Sequence, residues 1–188
     1  MTGPAASPPS PMSTEPAGTL LATRLAHRGP VFSVHADRVR LPNAREVTLE
    51  VVRHAPSVIV APMPDPGHLV LIRQYRHPVG AWLWEVVAGS IDEGESPEEA
   101  AGRECHEEIG RRPARVTPLG TFLPLPGYCD EVMHFFRADG LYVPREAAEA
   151  DPDEVIVPHT VTLDEARAMV RRGEIADLKT AMLIGLLG

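Results

Sequence analysis

Short alternating runs of apolar and polar residues fill the first half of the chain. Phe32 and Val34 alternate with polar or smaller neighbours, and so do Val47, Leu49 and Val51. A period of two is that of a half-buried strand. With a turn-rich stretch at His35–Arg38, these runs predict a small antiparallel meander. Ser57–Ala61 and Leu69–Gln74 read as two further strands, separated by the proline-punctuated loop Pro62-Met63-Pro64-Asp65-Pro66-Gly67. Trp82–Val87 is the next apolar run, closed by Ala88-Gly89.

The period then changes. Ala101, Cys105 and Ile109 recur at i, i+4 and i+8, the stripe of a helix packed on one face. Ser96 suits the N-cap, Pro97 the first helical position, and Glu99 completes a capping box. Gly110 predicts the stop. Strands are expected at Arg115–Leu119, His134–Ala138 and around Val155–Val161. Thr162 with Glu165 repeats the capping box and opens a second helix ending at Gly173. A last, mostly apolar helix covers about Lys179–Leu187. Strands, a helix, more strands and two helices predict an α+β fold, a mixed sheet covered by helices. No internal repeat is visible.

Residues 1–18 carry five prolines among Ser, Thr, Ala and Gly. Such a stretch buries too little apolar surface to offset its ordering entropy, and we read it as a disordered tail. The whole chain, 188 residues and 44% hydrophobic, suffices for one domain with a small appendage. The formal charge of −8 disfavours a nucleic-acid partner. No apolar run approaches a membrane span, and no secretory signal opens the chain. Two cysteines, Cys105 and Cys129, make neither a disulfide framework nor a four-thiolate zinc site. A cytoplasmic location is the expectation. The bases are 17 Arg and one Lys, Lys179, which leaves a catalytic lysine almost nowhere to be.

Eight acids fall between Asp92 and Glu108, beside one fixed cation, Arg103. Glu104, Glu107 and Glu108 share one helical face, where like charges repel by roughly 0.2–0.5 kcal/mol per pair. Glu107 and Glu108 also occupy the last turn, where the dipole disfavours anions. A solvated acidic face does not account for that placement. A divalent cation does: the three carboxylates are hard oxygen ligands for Mg²⁺ or Mn²⁺ and leave positions for water and a phosphate. Gly89 lets backbone approach a ligand, so the Ala88 carbonyl can join the metal shell. His106 lies between the acids and is expected at the surface.

These residues read Gly89-x5-Glu95-x7-Arg103-Glu104-Cys105-x-Glu107-Glu108-x-Gly110. The pattern resembles the Nudix box of the Nudix hydrolases. It departs at Arg111, where the family usually carries an aliphatic residue. Gln74-Tyr75-Arg76, Trp84-Glu85-Val86-Val87-Ala88-Gly89 and Leu123-Pro124-Leu125-Pro126-Gly127-Tyr128-Cys129-Asp130-Glu131 resemble the ADP-ribose pyrophosphatase branch. The resemblance implies an α/β/α sandwich over residues 56–188. It also implies an N-terminal antiparallel sheet over residues 19–55 through which the branch forms homodimers. It makes Glu104 and Glu108 the main metal ligands, assisted by Glu107 and the Ala88 carbonyl. Glu95 and Arg103 become a structural pair, with Gly89 and Gly110 structural in the motif. Arg76 would hold a phosphate, and Glu131 the terminal ribose or the attacking water. Phe32 is a candidate for adenine stacking, and a core role is an equal alternative. Glu85 is a candidate substrate contact, against the plainer reading of a strand-end acid meeting solvent.

The branch's catalytic base is a glutamate in a loop before the penultimate helix. Here that segment reads Asp151-Pro152-Asp153-Glu154, with proline at the usual position. Glu154 or a neighbour (Glu149, Asp151, Asp153) takes over, or a box glutamate, Glu107 or Glu108, serves, or the activity is reduced. The implied reaction is Mg²⁺-dependent hydrolysis of ADP-ribose to AMP and ribose 5-phosphate. The alternatives are another nucleotide sugar, FAD or a dinucleotide as substrate, or a nucleotide sensor that kept the fold and lost turnover.

Overall fold

The computed structural model describes residues 17–148 and 155–188. Most of the expected tail, and the base candidates Glu149, Asp151, Asp153 and Glu154 with Pro152, lie outside the described residues. The chain divides into two compact units, one of residues up to Pro56 with Thr121–Met133, the other of Ser57–Gly120 with His134–Gly188.

The first unit is built on a three-stranded antiparallel sheet of β1 (Thr19–Arg28), β2 (Phe32–Arg40) and β3 (Glu46–His54), in that order. The expected turn at His35–Arg38 is instead the middle of β2. Its polar residues are held in the strand by cross-strand partners: Thr23 and Arg53 both donate to Asp37, which is 3% exposed. The real turn is Leu41–Ala44, closed by the Ala44 amide donating to the Leu41 carbonyl, with Ala44 at φ 64°. β3 also receives the segment that carries Pro126-Gly127. The Val52 amide donates to the Tyr128 carbonyl, and the Asp130 amide donates to the Val52 carbonyl. Arg53 then bridges Asp37 and Asp130.

The second unit holds β4 (Ser57–Met63), β5 (His68–Arg76), β6 (Ala81–Glu85), β7 (Val87–Ser90), β8 (Arg115–Phe122, whose last residues belong to the first unit), β9 (Met133–Asp139, whose first residue does too) and β10 (Ile156–Thr162). They form one sheet in the order β10-β5-β6 and another in the order β7-β4-β9-β8. Every residue of β4 is buried, as for a strand covered on both faces. The single strand expected at Trp82–Val87 is broken at Val86. There the chain leaves the β6 sheet and enters the β7 sheet.

Helix α1 (Pro97–Ile109) begins and ends as the capping residues predict. Ser96 accepts from the Glu99 amide, the Glu99 carboxylate accepts from the Ser96 amide, and Gly110 closes the helix at φ 65°. α1 packs on β7 and β4 through Ala100, Ala101 and Cys105, all fully buried with Val58, Val60, Val87 and Phe136. α2 (Leu163–Arg171) starts where Thr162 accepts from the Glu165 amide. α3 (Leu178–Leu186) is capped by Asp177 and packs on β4 and β6. Its inward residues are Thr180, Leu183 and Ile184, whereas Leu178 is exposed, so it is apolar without being enclosed. Among the described residues no helix is long and apolar enough to cross a membrane.

Candidate active site

The acidic face of α1 meets the end of β7. Glu104 and Glu108 lie one helical turn apart and are each only 8% exposed. Two carboxylates so enclosed need compensation, since burial disfavours charge. Glu108 accepts from the Ala88 amide through Oε1 at 3.3 Å. Glu104 accepts from Arg103 Nη1 at 2.7 Å, and the same nitrogen donates to Glu107 at 2.8 Å. The other edge of Arg103 grips the loop: Nε and Nη2 each reach Glu95 at 3.0 Å, and Nη2 donates to the Ser90 carbonyl at 2.8 Å. One planar fork thus fastens loop and helix together, a task suited to Arg rather than Lys. The hydrogen bonds from Arg103 hold the Glu95 carboxyl below its ordinary range, against the opposing effect of burial.

Gly89 has a steric reason. A Cβ there would stand 2.0 Å from Glu104 Oε1 and 2.4 Å from Oε2. The carboxylate occupies the space in which any other residue would put a side chain. Cys105, on the flank of α1 beside the acids, is fully buried, and burial together with the charge of Glu108 pushes its thiol pKa up. That excludes it as a nucleophile. His106 is buried too, at 7% exposure, and its Nε2 lies 3.2 Å from the Glu146 carbonyl. The expectation of a surface histidine fails because the segment after β9 returns across that side of α1.

Arg76 and Glu85 are partners. Arg76 Nε and Nη2 donate to the two oxygens of Glu85, both at 2.8 Å. Glu85 is 1% exposed and also accepts from Lys179, so it does not meet solvent as a strand-end acid would. Burial pushes its pKa up, but the hydrogen bonds of Arg76 and the charge of Lys179 outweigh it and hold the carboxyl below its ordinary range. Glu85 and Lys179 are 94 residues apart, so no local pattern signals this contact. Phe32 and Glu131 belong to the first unit. Phe32 is exposed at the start of β2, and Glu131 lies 3.9 Å from His54 Nδ1.

The donors suit a hard divalent cation. Glu104 and Glu108 offer carboxylate oxygens, and Gly89 keeps the approach to them free of a side chain. Among the described residues no three His, Cys, Asp or Glu side chains close a metal site by themselves.

The paired buried carboxylates of α1 face the glycine-bearing strand β7, and Arg103 fastens Glu104 to the preceding loop, a donor set suited to a divalent cation. The chain belongs to the NUDIX family: the model of the NUDIX domain matches residues 53–180. It is a Nudix hydrolase of the α+β class. It is 36% identical over 159 residues to an ADP-ribose pyrophosphatase of Bacillus subtilis (strain 168), covering 85% of this chain and 86% of that one. It is 34% identical over 167 residues to a methanol dehydrogenase activator of Bacillus methanolicus, covering 89% and 90%. A solved structure titled as an ADP compounds hydrolase superposes with a TM-score of 0.80 at 25% identity, covering 94% of this chain and 95% of that one.

Proposed function

We propose that this enzyme hydrolyses ADP-ribose to AMP and ribose 5-phosphate. The observation that carries the reading is the seat of Glu104 on the bare backbone of Gly89 beside Glu108, in a chain related throughout to an ADP-ribose pyrophosphatase. Glu104 and Glu108, assisted by Glu107 and the Ala88 carbonyl, would hold Mg²⁺ or Mn²⁺. Bound there, the ion would supply charge neutralisation for the diphosphate and acidify a nearby water. Arg76 takes a phosphate oxygen, its orientation fixed by Glu85. Water adds to one phosphorus, the bridging P–O bond breaks, and the departing phosphate oxygen carries off the electron pair. Glu107, Glu108 or Glu154 accepts the proton of the attacking water. Glu131 holds the terminal ribose or that water, and Phe32 stacks on adenine. We further propose a cytoplasmic homodimer paired through the N-terminal sheet, on which Leu20, Leu25, Phe32 and Leu49 are exposed.

Purified protein with Mg²⁺ should release AMP from ADP-ribose, and Glu108→Gln should lower kcat at least about a hundredfold. An unchanged rate in that variant removes the assigned site. The methanol dehydrogenase activator, related over nearly its whole length, favours testing a wider panel. If FAD or a dinucleotide gives the higher kcat/KM, the substrate assignment moves while the site stays.

A further inference from the structure

The first turn of α3 reaches the point at which the chain crosses between sheets. Thr180, fully buried, accepts from the Val86 amide through its hydroxyl at 3.0 Å, in the gap where β6 has ended and β7 has not begun. Its neighbour Lys179 donates to Glu85 and ion-pairs with Asp177 at 3.0 Å. Asp177 is itself fixed by the Thr180 amide at 3.0 Å. The chain's single lysine therefore stands, 85% enclosed, at the end of a charge relay: Asp177, Lys179, Glu85, Arg76.

The four charges cancel. Without Lys179 the group would carry one net negative charge, and the whole of the Glu85 anion would fall on Arg76. A guanidinium so neutralised draws phosphate poorly. Arg76 keeps 36% of its side-chain surface exposed, so its charge is felt outside the protein. Glu85 is three residues from Ala88, no more than about 10 Å of extended chain from the carboxylate site. Lysine here has little room to act by direct contact, because its ammonium is spent on two carboxylates. Its effect is transmitted.

We infer that Lys179 is a positioning residue: through Glu85 it orients Arg76 and preserves the positive charge that Arg76 offers to a nucleoside diphosphate. The inference rests on Arg76 as the phosphate contact of the proposed function. It does not require that ADP-ribose be the substrate or that turnover occur, so binding tests it apart from catalysis.

The test is calorimetric titration of the full-length protein with ADP and with adenosine, in the absence of metal. Lys179→Met should weaken ADP binding roughly tenfold, the scale of one unscreened charge near a partly buried pair. Adenosine affinity should be unaffected. Lys179→Arg should restore ADP binding to within about threefold, since it returns the charge. Where Lys179→Met fails to fold, the double variant Glu85→Gln/Lys179→Met, which removes the pair together, takes its place. It should bind ADP as well as Glu85→Gln alone, because with the Glu85 charge gone Lys179 has nothing left to transmit. Equal losses for ADP and adenosine would mean general damage to the fold and overturn the inference. So would unchanged ADP binding in Lys179→Met, failure of Lys179→Arg to rescue, ADP binding weaker in the double variant than in Glu85→Gln, or a wild type that binds ADP no better than adenosine. A protein that passes this test yet leaves ADP-ribose uncleaved retains the inference and loses the substrate assignment.

Discussion

Gly89→Ala separates function from folding at this site. The added methyl carbon would sit 2.0 Å from Glu104 Oε1, where ordinary contact begins at 3.4 Å, so the carboxylate must retreat by about 1.4 Å. What retreats is the far end of a flexible side chain, and the backbone need not move. Leaving its place costs Glu104 the 2.7 Å bond from Arg103, about 1–2 kcal/mol for a charge-assisted contact at a partly exposed site. Alanine recovers up to about 1 kcal/mol by stiffening the unfolded chain relative to glycine. The net loss is small, a shift of roughly 2–4 °C or less in Tm for a chain of this size. Activity should respond differently. A displacement of about an ångström at this proposed metal ligand is expected to lower kcat/KM on the order of a hundredfold. The two assays are a thermal melt and AMP release from ADP-ribose with saturating Mg²⁺. A variant that melts normally and keeps activity within about threefold of wild type refutes the placement of Glu104. A variant that does not fold refutes the claim that Gly89 serves the carboxylate more than the strand.

Two further outcomes follow from the same unit. Thr180→Val removes the acceptor of the buried Val86 amide and should destabilise by about 1–3 kcal/mol in urea denaturation, whereas Thr180→Ser should stay near wild type; equal stability of Thr180→Val and Thr180→Ser would show that the amide is satisfied elsewhere. Glu85 has a folded pKa below its unfolded value of 4.5, so its contribution is present above pH 4.5 and is lost as the pH falls through the folded value. Tm should therefore drop less steeply below pH 4.5 in Glu85→Gln than in the wild type, and parallel curves would count against the ion pair.

Local chemistry made α1 legible. Ser96, Pro97, Glu99 and Gly110 each act on their own few neighbours, so both ends of the helix and its acidic face could be read from sequence. β1 could not, because Thr19–Arg28 is exposed along nearly all its length and carries no alternation that one buried face would impose. The polar residues of β2 suggested a turn because their partners, Thr23 and Arg53, lie on other strands. The break at Val86 has a similar cause: its amide is satisfied by a hydroxyl from α3, which no window around Trp82–Val87 contains. The box residues were visible as a spacing. The pairing of Glu85 with Arg76 and Lys179 depends on which strand lies beside which and on where the last helix docks.

The clasp of Arg103 has a consequence for how the apoprotein behaves. Glu95, Glu104 and Glu107 already share a counter-ion from within the chain, so their mutual repulsion is offset before any cation arrives. A chelator would then strip the catalyst and leave the scaffold standing, unlike a zinc finger, which collapses when its ion is taken away. Loading becomes a trade of partners at the rim of a finished fold.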